Sequence, residues 1–150
     1  MIRYLSVAAL IAAGATIAYA QGAGGAAALS ERKAIMKKQL DNAKQMSAMS
    51  KGTEPFNLAT VQASLKSFQE GTAKVKGLFP DDSKAGETRA TPAVWTNRAD
   101  FNKKADEFVV TAKAAADGIK DEASFKAQFP AVSKGCDSCH EPYRAPPAKK

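Results

Sequence analysis

The sequence predicts an all-α protein, an antiparallel up-down-up-down four-helix bundle. Apolar residues recur at steps of three and four through four separate segments. Almost no stretch shows the period-two alternation of a half-buried strand. Gly and Pro fall between the segments and leave mostly short connections, the kind that join antiparallel neighbours. With 150 residues, 45% apolar and 25% charged, the chain has the length and composition of one soluble globular domain. A chain of that size buries roughly 65–70% of its extended surface, enough for a core. Two cysteines exclude a disulfide-rich scaffold. Two cysteines and one histidine are too few soft ligands for a closed four-ligand zinc site. Charges spread from Glu31 onward exclude a membrane bundle or a low-complexity tail.

Residues 1–20 are expected to be a secretory signal peptide. Arg3 supplies the positive start, Leu5 to Ala18 are uncharged, and Ala18-Tyr19-Ala20 fits an A-x-A cleavage site. Gly14, Gly22, Gly24 and Gly25 make the alternative, an uncleaved spanning anchor, a poor helix. Cleavage leaves residues 21–150 as the working domain, outside the cytoplasm and without a membrane span.

The first helix is expected from about Ser30 to Met49, with Leu29, Met36, Leu40, Ala43 and Met46 on its apolar stripe; Gly52 and Pro55 end it. Asn57 is the natural N-cap of the second. Leu58, Val61, Leu65, Phe68, Thr72 and Val75 mark its stripe, and Gly77 and Pro80 stop it. Residues 80–91 read as the longest loop. Pro92 suits the first turn of the third helix, whose stripe is Phe101, Ala105, Phe108, Ala112, Ala115 and Ile119. A turn at residues 118–121 leads into the fourth. There Phe125, Phe129, Val132, Cys136, Cys139 and Tyr143 repeat at steps of three and four, and Pro130 is expected to bend the helix or delay its start. The stripes show that each helix buries a face, not what it buries.

One pentapeptide carries the chemistry. Cys136-Asp137-Ser138-Cys139-His140 is C-x-x-C-H and holds both cysteines and the only histidine. Two thiols three residues apart on a helix lie near one face. They can add to the two vinyl groups of one porphyrin, and the adjacent imidazole can reach its iron, which is the c-type haem attachment pattern. A thioredoxin-like pair belongs near a βαβ unit, usually opening a helix; this one sits near the end of a helix in an all-α chain. A plain disulfide gives His140 no role. One covalent haem c is therefore the expected cofactor, and haem attachment outside the cytoplasm agrees with the leader.

With these residues in hand, the chain resembles the class II c-type cytochromes, which include cytochrome c′ and its low-spin relatives. C-x-x-C-H lies near the C-terminus and is followed by Tyr143 and Arg144, as in the family's C-x-x-C-H-x-x-[FY]-R ending. Arg32 precedes Met36 by four in the first helix, and Leu78-Phe79-Pro80 and the Pro92-Ala93-Val94-Trp95…Phe101 stretch match further family segments. The resemblance implies a four-helix bundle with haem in its core, often a homodimer. It implies that Met36 faces the distal side of the haem, opposite His140. Without the resemblance, Met36 on its apolar stripe reads as core packing. If the Met36 thioether binds, the protein is a six-coordinate monohaem electron carrier. If it only packs, the protein is a five-coordinate cytochrome c′ that binds nitric oxide or CO. Ligation and electron transfer are the expectation; Met46 and Met49 lie too far along the helix to share the role.

Around that centre, Arg32 is expected either to neutralise a haem propionate or to sit on the surface beside a carboxylate. Arg144 is expected beside the proximal imidazole, with Pro142 cutting the helix between them. Trp95 and Phe101 are expected to wall the haem or fill the core. The net charge, +7 for the whole chain and +6 once Arg3 leaves with the leader, admits an anionic partner, with Lys103, Lys104, Lys113, Lys126, Lys134, Lys149 and Lys150 around an exposed haem edge, but a solvated surface is the reading expected of them. No aromatic-basic motif supports nucleic-acid binding. No nucleophile-base pair supports an enzyme, because the only histidine is committed to iron. Redox partner proteins in the periplasm are the expected partners.

Overall fold

The structure is a computed structural model that describes residues 16–147. Residues 1–15, most of the expected leader, lie outside the described residues, as do Lys149 and Lys150. Five helices follow in order: α1 Thr16–Ser50, α2 Leu58–Val75, α3 Ala93–Thr96, α4 Arg98–Gly118 and α5 Glu122–Tyr143, with a 3-10 turn at Asp81–Ser83. The four long helices form the bundle. α2 packs on α4, α4 on α5 and α1 on α2, while α1 also meets the 3-10 turn and α5. No described helix is long and apolar enough to cross a membrane.

Local chemistry explains the boundaries. Asn57 caps α2 by accepting a hydrogen bond from the Thr60 backbone N–H at 2.9 Å. Asn57→Ala is expected to cost about 1 kcal/mol, read as a lower urea midpoint with unchanged slope. Asp121 and Ser124 form a reciprocal capping box that starts α5. The third predicted helix is interrupted. Asn97 leaves the helical region at φ −125°, ψ 50°, so α3 is a separate turn before α4. α3 is set by its own anchor, a 3.0 Å bond from Trp95 Nε1 to the Phe79 carbonyl.

α5 corrects a start delayed to Pro130 and a break at Pro142. Pro130 and Pro142 both lie inside one continuous helix. Both are exposed, so each ring faces solvent. Beyond Pro142 the Arg144 N–H still donates to the His140 carbonyl at 3.0 Å, so Arg144 stays tied one turn after His140. The stripes of α1 and α2 are also narrower than expected: Leu40 is 53% exposed and Leu58 36%.

The bundle buries two apolar clusters. The larger contains Met46, Met49, Leu65, Phe68, Phe108, Phe125 and Val132. Met46 and Met49 are thus core side chains, and Met46 lies about 15 Å along α1 from Met36. The smaller contains Val94, Phe101 and Tyr143, with Phe79, Trp95 and Cys139 packed against it. Between them the bundle opens into a cavity.

Candidate functional site

A cavity of about 550 Å³ lies among α1, α2, α4, α5 and the loop before α3. α1 and α2 supply Met36, Gln39, Thr72 and Val75 to its lining. α4 supplies Phe101, Ala105 and Phe108, and α5 supplies Gly135, Cys136, Cys139, His140 and Tyr143. Met36 therefore shares one space with the two thiols and the only imidazole, although they stand 100 residues or more further along the chain.

Helix spacing brings the pentapeptide into the cavity. Cys136 and Cys139 stand at i and i+3 on α5, and His140 is one turn from Cys136, so all three lie toward one side. A glycine lets α5 approach α4 here: a Cβ at Gly135 would sit 2.7 Å from Phe108 Cδ2. Burial pushes the Cys136 thiol up to about 11, and the Asp137 carboxylate acts in the same direction. Cys139 is likewise raised, chiefly by burial. Thiols held protonated differ from the low-pKa cysteine of a dithiol oxidoreductase. Burial, and next the Arg144 charge, lower His140 from its ordinary value. The imidazole is therefore neutral at neutral pH, the form that donates a lone pair to a metal.

A strap closes the C-terminal end of the site. Ala90 and Arg144 pair as an isolated antiparallel bridge. The Thr91 N–H donates to the Tyr143 carbonyl at 3.1 Å, and the Ala145 N–H donates to the Arg89 carbonyl at 2.8 Å. The Thr91 hydroxyl donates to the Pro142 carbonyl at 2.9 Å. These bonds fix the turn of α5 that carries His140. Tyr143, beneath it, donates to Asp100 Oδ2 at 2.6 Å and meets Phe101 edge-on at 5.2 Å.

Arg32 is only 4% exposed, which removes the surface reading. Its guanidinium donates to the Leu78 carbonyl, the Ser83 hydroxyl and carbonyl, and the Thr88 hydroxyl at 2.8–3.1 Å. It lies 4.4 Å from the Phe79 ring centroid. Four of its five N–H donors are thus spent on the loop before α3. Burial lowers its pKa, yet an arginine stays charged, so a cation without a carboxylate hydrogen-bond partner is left beside the cavity.

Of the two aromatics expected to wall the haem or fill the core, Phe101 lines the cavity and Trp95 does not. Trp95 stands one layer back, edge-on to Phe79 at 5.7 Å. The charged rim is built from other side chains than the helix lysines. Lys33, Arg89 and Arg144, with Glu87, surround the opening. Among the described residues, none of Lys103, Lys104, Lys113, Lys126 and Lys134 lines it. Lys103, Lys113 and Lys126 pair instead with Glu107, Asp117 and Glu122 four residues away, on outer helix faces. Sequence reading missed Gln39, Arg89 and the strap. Thr72 carried a signal, a hydroxyl at an apolar position of its stripe.

The cavity fits a haem. Its volume is that of a small-molecule site, and its walls at Val75, Val94, Phe101 and Phe108 suit a flat apolar macrocycle. Its cations, Arg32, Lys33, Arg89 and Arg144 against Glu87, suit two carboxylates at one edge. Among the described residues no group of three His, Cys, Asp or Glu side chains is placed to hold a bare metal ion.

Known proteins agree with this geometry. The family profile described as cytochrome c′ matches residues 27–144. A cytochrome c′ of Rhodopseudomonas palustris is 38% identical over 145 residues, spanning 96% of this chain and 97% of that protein. A cytochrome c-556 of the same organism is 36% identical over 119 residues, spanning 73% and 77%. The solved structure of cytochrome c′ from Rhodopseudomonas palustris superposes with a TM-score of 0.77 at 39% identity, covering 81% of this chain and 98% of that one. These relatives are haem c proteins, and the two cysteines here agree with covalent attachment. The chain belongs to the cytochrome c′ family, haem-binding four-helix bundles that act in electron transfer or gas binding.

Proposed function

We propose that the protein is an exported monohaem c-type cytochrome that carries single electrons between redox partner proteins in the periplasm. The observation that carries this is the shared cavity: Met36 on α1 and His140 on α5 line one space with both cysteines. Bound haem supplies a one-electron Fe(III)/Fe(II) couple. Cys136 and Cys139 would hold it through thioethers, His140 would donate the proximal imidazole, and Met36 the distal thioether. A thioether is a soft donor that favours the ferrous state. Arg32 would act on a propionate by charge at short range rather than as a bidentate partner, because the loop takes four of its donors. Arg144, exposed at the rim, would add charge there and cover the His140 side. Phe101 would pack against the macrocycle, and Trp95 would hold Phe79 and the loop in place. The leader, residues 1–20, would direct export.

A second reading uses the same cavity. Met36 would pack without binding, and nitric oxide or CO would take its side of the iron; Val75, lining the cavity on the same side, is apolar enough for such ligands. Protein-film voltammetry of the matured protein separates the two. A reversible one-electron wave that CO leaves unmoved is the result expected of the carrier. A wave that CO shifts to higher potential contradicts it.

A further inference from the structure

Two polar side chains in the cavity have no part in haem attachment. Gln39 lies one turn beyond Met36 on α1, and Thr72 stands on α2; both line the cavity. Gln39 Nε2 donates to Thr72 Oγ1 at 3.1 Å. Gly71 makes room for this reach, since a Cβ there would sit 2.8 Å from Gln39 Nε2. Thr72 is only 7% exposed and shares its stripe with Phe68 and Val75. A hydroxyl has one proton to give and two lone pairs. Gln39 occupies a lone pair, and no acceptor takes the proton among the described residues. A helical threonine ordinarily gives that proton to a carbonyl three or four residues back. Here it is buried, oriented by an amide, and faces the space that Met36 also lines.

We infer that Thr72, oriented by Gln39, donates a hydrogen bond to the Met36 thioether and thereby raises the reduction potential of the haem. The inference rests on Met36 as distal ligand. Ferric iron draws more electron density from sulfur than ferrous iron does. A donor on the sulfur's other lone pair withdraws that density, so it weakens the ferric bond more than the ferrous one. Sulfur is a weak acceptor, and the low dielectric of the cavity strengthens the bond. Reduction adds one electron to the iron; Thr72 keeps its proton in both states. Thr72 and Gln39 are positioning residues, since neither touches the iron.

The test compares haem-loaded Thr72→Val and Thr72→Ser with the unaltered protein by redox titration, while the near-infrared thioether–iron band reports ligation. Thr72→Val is expected to lower the equilibrium constant for reduction threefold to tenfold, up to about 59 mV for one electron, with the band retained. Thr72→Ser is expected to restore the potential. An unchanged potential in Thr72→Val, with the band present, overturns the inference and leaves Met36 as ligand. A shift that Thr72→Ser fails to restore overturns it as a packing effect. Absence of the band from the unaltered protein overturns both this inference and the ligation on which it rests.

Discussion

Replacing Met36 by Ala is expected to turn a low-spin ferric spectrum high-spin and to let ferrous protein bind CO. The side chain is half-buried on the cavity wall, and no other methionine among the described residues can substitute. Met46 and Met49 are 0% and 2% exposed in the main core and lie too far along α1. Loss of a soft donor removes a preference for ferrous iron, so the reduction equilibrium should fall roughly a hundredfold, about 120 mV at 59 mV per tenfold. Truncation should also cost about 2 kcal/mol of stability. Met36→Leu separates the two effects: it keeps the packing volume, so stability should stay within about 1.5 kcal/mol, while the spectral change remains. A low-spin spectrum in both variants would mean that the sixth donor lies elsewhere.

Removing both attachment points should have an equally large effect of another kind. In Cys136→Ala/Cys139→Ala the haem is held only by its axial donors and packing, so denaturant should strip it completely. From the unaltered protein it should strip none. Non-covalent haem stabilises in proportion to its free concentration, so the melting temperature of the double variant should rise with added haem. Each single variant leaves one thioether. It should retain haem through denaturation and shift the ferrous absorption bands to longer wavelength, because one vinyl group rejoins the conjugated ring. Haem that resists extraction from the double variant would contradict attachment at the pentapeptide.

Much of this was legible in the sequence because its signals are local. The stripes at Val61–Val75 and Phe101–Ile119 follow from helix periodicity, and Asn57 announces the start of α2 through its own cap. The pentapeptide is local as well, since five consecutive residues hold three of the four side chains assigned to haem and iron. What stayed hidden is long-range. Arg32 meets carbonyl and hydroxyl groups 46 to 56 residues away, which no charge count reveals. The strap joins residues 89–91 to 143–145 by backbone bonds that no residue pattern announces. A start delayed to Pro130 did not follow, because proline costs a helix least where its ring and the freed carbonyl face water. The lysines of the helices follow the solvated-surface reading, because helix spacing pairs Lys103, Lys113 and Lys126 with carboxylates four residues away.

The central claim is that Met36 and His140 complete one iron centre. The ferric and ferrous optical spectra of the matured protein, extended into the near infrared and repeated under CO, test it most directly. A low-spin ferric spectrum with a thioether–iron charge-transfer band, and ferrous bands unchanged by CO, is the predicted result. A high-spin ferric spectrum without that band, and ready CO binding, would contradict it and leave Met36 as a side chain packed over the iron of a gas-binding protein.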